Sequence, residues 1–196
     1  MKKLRLFIAI GLPDPLKQKL AEIQRSLPGA HVKWVVPENF HLTLKFLGDT
    51  PVSQCPSLVE GMRQAAEGTA AFDLTLKGVG TFPRQGRPKV LWAGIHGPVE
   101  KLLGLQGDLE QGLENLGFTR EKRPFSPHLT LGRTKEFGST EALQQQIFQL
   151  KQTLFGSWSV ASIQLMQSEL RPSGPVYTLW DEVFLAKAGL KKGSLT

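Results

Sequence analysis

Two histidines in this chain stand in the same local setting, His41-Leu42-Thr43-Leu44 and His128-Leu129-Thr130-Leu131. From ordinary residue frequencies, one His-x-Thr-Leu is expected by chance in roughly one chain in fifty of this length, and two in on the order of a few in ten thousand. An imidazole, with an unperturbed pKa of about 6.5, gives and takes protons near neutrality. Two imidazoles on opposite sides of a reacting atom supply a base and an acid together. Displacement at phosphorus needs both, one to take the proton of the attacking oxygen and one to protonate the leaving oxygen. Thr43 and Thr130 are then placed to hydrogen-bond the non-bridging phosphate oxygens.

The spacing dictates how such a pair is carried. Side chains alternate faces along a strand, so a His and a Thr two apart point the same way. Leu42, Leu44, Leu129 and Leu131 then point into a core. The two copies lie nearly half the chain apart, which reads as an internal duplication. Two such halves put two imidazoles and two hydroxyls around one cleft. His31 and His96 share no motif and read as strand-end surface residues. Two histidines without a carboxylate cluster or a second cysteine make a poor zinc site, so no metal and no cofactor are expected. No Walker loop is present.

The elements that hold these motifs follow from periodicity. Leu4–Ile10 reads as a buried strand. Pro13-Asp14 opens a helix with Leu16, Leu20, Ile23 and Leu27 inward, closed by Pro28-Gly29. His31–Val36 is strand-like, Pro37–Phe40 a turn, and His41–Leu47 a strand ending at Gly48-Asp49. A helix is predicted over Ser53–Glu67. Strands are predicted over Phe72–Val79 and Lys89–Ile95, joined by the loop Pro83–Pro88. After Gly97-Pro98 a helix runs to about Leu116 with the stripe Leu102, Leu105, Leu109, Leu113 and Leu116. Arg120–Arg123 and Pro124–Pro127 lead into the strand His128–Arg133. A helix over Thr140–Leu154 and strands over Val160–Ser168 and Val176–Leu185 finish the fold, split by the turn Arg171–Pro175. Residues 187–196 form a basic tail, expected to be mobile. Strands and helices mix without strict alternation, which predicts an α+β fold with mostly antiparallel sheets.

The composition is that of a soluble globular chain, with 196 residues, 40% hydrophobic and 21% charged. A net charge of +7 and a pI near 9.7 favour anionic partners such as nucleic acid or phosphorylated small molecules. Cys55 is the only cysteine, which excludes an intrachain disulfide and a cysteine-based zinc site. The apolar run Leu6–Ile10 is too short for a signal-peptide core, and no stretch reads as membrane-spanning. The expectation is a cytoplasmic monomer.

The residues around the motifs carry a resemblance. His41-Leu42-Thr43-Leu44-Lys45-Phe46-Leu47-Gly48 and Ser126-Pro127-His128-Leu129-Thr130-Leu131-Gly132-Arg133 are joined by Arg5–Ile10, by Trp34 with Pro37-Glu38-Asn39, and by Ser168–Pro172 with Gly174-Pro175 and Tyr177. Taken together they resemble the two-histidine (2H) phosphoesterases, and within them the bacterial and archaeal RNA 2′,3′-cyclic phosphodiesterases, also called 2′-5′ RNA ligases. The resemblance implies one domain over residues 1–196, made of two interleaved lobes with pseudo-twofold symmetry. It implies two mostly antiparallel sheets with outer helices and an active-site cleft between the lobes. It implies metal-independent hydrolysis of RNA 2′,3′-cyclic phosphate ends to 2′-phosphomonoesters, with joining of tRNA halves through a 2′-5′ linkage as the reverse. His41 is then the proton donor, His128 the proton acceptor, and Thr43 and Thr130 the phosphate ligands.

Other positions stay open on the sequence alone. Arg133 follows the second motif as the resemblance requires, yet strict alternation puts it opposite His128, so either the strand ends or bulges at Gly132 or Arg133 reaches round the rim. Phe7 reads either as a base-stacking aromatic or as core. Lys45 shares parity with His41 and reads as facing the cleft or solvent. Arg84, Arg87 and Lys89, and Arg120, Lys122 and Arg123, read as an RNA path or as solvated loops. The rival functions are an RNA-end-binding protein without turnover, and a phosphodiesterase for 2′-5′ oligoadenylate or small cyclic nucleotides.

Overall fold

A computed structural model describes residues 2–28, 31–136 and 139–187. The first motif belongs to a sheet that starts with β1 (Lys3–Gly11). Helix α1 (Asp14–Ser26) follows; Pro15 in its first turn costs no hydrogen bond there, and Leu16, Leu20 and Gln24 form its buried stripe. Short β2 (Val32–Trp34) precedes β3 (His41–Pro51), the first motif strand. Helix α2 (Cys55–Glu67) buries Leu58, Val59 and Met62 and also Cys55. Strands β4 (Phe72–Phe82) and β5 (Val90–His96) lead to helix α3 (Val99–Glu114), whose Leu102, Leu105, Leu109 and Leu113 are buried as the stripe predicts. The second motif strand is β6 (His128–Thr134). Helix α4 (Glu141–Gln149), β7 (Leu154–Val160), β8 (Ser162–Arg171) and β9 (Gly174–Phe184) complete the described chain.

The strands form two antiparallel sheets, ordered β3-β1-β8-β9 and β2-β6-β5-β4-β7. The fold is α+β, with one motif strand in each sheet. The duplication is visible in the register. In the first sheet Gly11 pairs with His41 and Ala9 with Thr43; in the second Gly94 pairs with His128 and Trp92 with Thr130. Two of the helices, α1 and α3, are exchanged between the sheets. Helix α1 packs on β7 of the second sheet, where Leu16 lies 2.7 Å from where a Cβ on Gly156 would stand and the Gly156 φ of +144° favours glycine. Helix α3 packs on β3 of the first sheet and on α2, while α4 packs on β4.

Strand β7 has no counterpart in the sequence reading, which ran a helix to Leu154 and began a strand at Val160. The physical reason is a register shift where Leu76 pairs with Gly156 but Lys77 pairs with Leu154. That irregularity breaks the two-residue alternation by which a strand is recognised. The expected strand over His31–Val36 is shorter, and α3 stops before Leu116. Apart from Lys187, the tail 187–196 lies outside the described residues. Among the described residues no helix is long and apolar enough to cross a membrane.

Candidate active site

Each motif histidine opens its strand and is pinned the same way. Nδ1 of His41 lies 2.7 Å from the carbonyl of Asn39, and Nδ1 of His128 lies 2.7 Å from the carbonyl of Ser126. A carbonyl only accepts, so Nδ1 carries the hydrogen in both rings. That leaves Nε2 of each ring for chemistry, as a lone pair when the ring is neutral and as N–H when it is charged. A single helical turn, Pro37–Asn39, places the Asn39 carbonyl, and the Asn39 side-chain amide donates to Pro175 O at 2.8 Å. That bond ties the approach to His41 to the start of β9, two residues before Tyr177.

The two motif strands are in contact although they belong to different sheets. His41 sits among rings, 4.8 Å from Phe7 and 5.3 Å from Tyr177 between centroids. His128 meets the edge of Phe82 at 5.1 Å. Burial lowers the His41 pKa from its ordinary value, and the bond to Asn39 partly opposes this. Burial therefore favours the neutral ring. Burial raises the Tyr177 phenol, while the charges of Arg133 and Arg5 pull it the other way. Arg133, from the second motif strand, is thus within electrostatic reach of a ring that touches His41.

A β-bulge in each motif strand explains this placement. Ala9 pairs with Thr43 but Ile8 with Lys45, which leaves Leu44 as the extra residue. Trp92 pairs with Thr130 but Leu91 with Gly132, which leaves Leu131 as the extra residue. Both strands then share one burial sequence: His and Thr half-buried, the two leucines and the next residue buried, and the one after it exposed. The bulge returns Arg133 to the face of His128 and Thr130, which resolves the parity conflict. It also turns Lys45 away from the cleft, against the expectation from simple alternation. Lys45 is 6% exposed, and its Nζ is 2.6 Å from Glu110 Oε2 and 3.0 Å from Thr119 O.

Phe7 lies on the cleft side but is only 3% exposed, covered by His41, Tyr177 and Phe46. A base finds little of its face to stack on, and the ring instead backs the His41 imidazole. Phe46, at the bulge-shifted position matching Arg133, is 76% exposed. Arg84, Arg87 and Lys89, and Arg120, Lys122 and Arg123, are all exposed. Arg87 donates to Lys135 O and Arg120 pairs with Glu114. His96 is exposed at the end of β5, and His31 is half-buried. Arg5, Phe82 and Tyr177 were not singled out as site residues, because only the three-dimensional register brings them beside the motifs. A cavity of about 490 Å³ opens beside Gly11, the strand partner of His41, but neither histidine lines it. Among the described residues no group of three or more His, Cys, Asp or Glu could hold a metal ion.

Comparison with known proteins returns the same duplication. The LigT-like phosphoesterase family matches the chain twice, over residues 10–92 and 96–177. The chain is 36% identical to the RNA 2′,3′-cyclic phosphodiesterase of Methanothermobacter thermautotrophicus, over 90% of this chain and 96% of that one. It is 37% identical to the RNA 2′,3′-cyclic phosphodiesterase of Aeropyrum pernix, over 87% and 97%. The crystal structure of TT0787 of Thermus thermophilus superposes with a TM-score of 0.79 at 33% identity, covering 94% of this chain and all of that one. The E. coli LigT structure complexed with 3′-AMP superposes with a TM-score of 0.77 at 25% identity, over 94% and 99%.

Proposed function

The chain belongs to the LigT-like phosphoesterase family, and on that premise we propose that it hydrolyses RNA 2′,3′-cyclic phosphate ends to 2′-phosphomonoesters. The relatives that bear this activity in their names align over about nine-tenths of the chain. The observation that carries the reading is the matched pair of imidazoles, each with Nδ1 bonded to a backbone carbonyl two residues earlier. That arrangement presents two Nε2 atoms from two strands in contact.

In the reaction, Nε2 of His128 takes a proton from a water molecule, and the water oxygen bonds to phosphorus. The bond from phosphorus to the 3′ oxygen breaks, and Nε2–H of His41 delivers its proton to that oxygen. The product is a 2′-phosphomonoester beside a free 3′-hydroxyl. Protons exchanged with solvent then reset the two rings. Thr43 and Thr130 hydrogen-bond the non-bridging oxygens. Arg133 adds positive charge at the phosphate, and that phosphate in turn raises the His41 pKa that burial lowers, favouring the donor form. A 5′-hydroxyl in place of water, taken through the same steps with its proton passed to His128 and the 3′ oxygen leaving, joins two RNA ends through a 2′-5′ linkage. No step uses a metal.

The test is an oligoribonucleotide ending in a 2′,3′-cyclic phosphate, incubated with the protein with and without chelator. The expected product is the 2′-phosphate in both arms. Tight binding without turnover would favour a non-catalytic RNA-end binder, a 3′-phosphate product would reverse the direction of ring opening, and loss in chelator would bring a metal into the mechanism.

A further inference from the structure

The exchanged helices α1 and α3 carry buried polar residues, Gln24 in α1 at 8% exposure and Glu110 in α3 at 6%, the latter beside Gln106. Each reaches the bulge of the opposite sheet. The Gln24 amide donates one hydrogen to Leu131 O and the other to Val35 O, both at 2.8 Å. Leu131 is the extra residue of the second motif strand, and its carbonyl also accepts the Val35 N–H at 2.9 Å. Glu110 meets the first motif strand through Lys45, the residue just after the bulge at Leu44.

A bulge disrupts the ladder locally; the Leu131 carbonyl keeps the Val35 N–H as one partner, and the Gln24 amide adds a second hydrogen bond that ties the bulged residue to α1. The competing arrangement is a strand without the bulge, with Leu91 opposite Leu131. That register turns Arg133 away from the face of His128 and Thr130, since a one-residue slip exchanges faces. We infer that Gln24 is a positioning residue for the second motif: its grip on Leu131 from α1 fixes the face on which Arg133 emerges. The inference rests on the phosphodiesterase reading only for its kinetic readout.

The experiment pairs Gln24→Met, which keeps length and burial but removes both donors, with Arg133→Ala in a double-mutant cycle on the cyclic-phosphate oligoribonucleotide. If Gln24 acts through Arg133, Gln24→Met alone raises KM about tenfold, the worth of one hydrogen bond to a charged group, with a smaller change in kcat. On the Arg133→Ala background it changes KM by no more than about twofold, within the usual scatter of additivity. Equal losses on both backgrounds would reduce Gln24 to general packing and overturn the inference. In parallel, NMR contacts across the Trp92–Thr130 and Leu91–Gly132 pairs should weaken in Gln24→Met and persist in Arg133→Ala. Unchanged contacts in Gln24→Met would also overturn it. Gln24→Leu gives the same readings should methionine repack badly. If the wild-type protein shows no turnover while these contacts shift, the phosphodiesterase reading fails and the positioning role stands.

Discussion

Replacing Lys45 with methionine isolates a charge that the bulge has driven inward. The Lys45 and Glu110 side chains are 5% and 8% exposed, with Nζ and Oε2 2.6 Å apart. The lysine also donates to Thr119 O, while Glu110 accepts from Gln106 Nε2 at 3.1 Å and from the Glu121 N–H at 3.2 Å. Methionine fills similar space but leaves a buried carboxylate with neutral donors only. Breaking such a pair from one side costs about 3–5 kcal/mol. With each kcal/mol worth about 2–4 °C at this chain length, the melting temperature should fall by about 6–20 °C. Glu110→Gln in the same chain removes the stranded charge and should recover most of the loss, so the two changes are strongly non-additive. Urea unfolding of the four proteins of this cycle reads the effect directly. A cost below about 1 kcal/mol for Lys45→Met would mean that water reaches the site and that the buried pair is absent. A double variant no more stable than Lys45→Met would lead to the same conclusion. Turnover should fall as well, because the Thr119–Glu121 segment leads to Ser126, whose carbonyl orients His128.

The remaining predictions concern the cleft. His41→Ala or His128→Ala should each lower kcat by about 10²–10⁴-fold, as loss of a general acid or base does, whereas Thr43→Ala or Thr130→Ala should cost about 10–150-fold. Steady-state kinetics on the cyclic-phosphate substrate checks this, and equal, small losses at all four positions would favour mere binding. An NMR titration of the free protein should place His41 below the ordinary imidazole value of about 6.5, because burial disfavours its charged form. In His128→Ala the residual rate should then fall as pH rises, since protonated His41 is the donor; a rate that climbs with pH would exchange the two roles. RNA affinity should weaken as salt rises, and Arg133→Ala should make the logarithmic salt slope shallower by about 0.7, one phosphate contact on a single strand. An unchanged slope would take Arg133 off the phosphate.

The motifs were legible because chemistry and periodicity coincide in them. His41 with Thr43, and His128 with Thr130, share a face by simple alternation, and Leu42 and Leu129 are buried as that alternation requires. Alternation holds through Leu44 and Leu131, which are buried too, and fails at the next residue, because a bulge depends on the neighbouring strand rather than on local sequence. Lys45 was therefore placed toward the cleft or solvent and is buried, while Arg133 seemed misplaced and is not. The same kind of irregularity hid β7. For Phe7 the open choice between stacking and core turns on Tyr177 and Phe46, which come from other strands and cover it. The repeated pattern carried a hint of the bulge, since an arginine needed on the cleft face had the wrong parity.

The duplicated backbone also bears on how, under the proposed roles, two matched imidazoles divide a proton transfer. The bulge sets up equivalent positions in the two strands, and the sequence fills them differently. After Leu44 stands Lys45, which crosses to α3; after Leu131 stands Gly132, where a Cβ would lie 2.8 Å from both Trp34 and Val32 side-chain atoms. At the next position the first strand exposes Phe46 and the second exposes Arg133. On the proposed roles, the cation beside the phosphate comes from the half that carries the proton acceptor. The ring-packed, desolvated imidazole, between Phe7 and Tyr177, lies in the other half. Two identical rings in identical surroundings would titrate alike, and only a minority of molecules would hold one charged and one neutral in the required order. Their surroundings differ: burial favours the neutral form of His41, the opposite of what a donor needs, and on the proposed roles it is the anionic phosphate that pulls His41 toward its charged form. On that reading, the donor form of His41 is coupled to substrate binding.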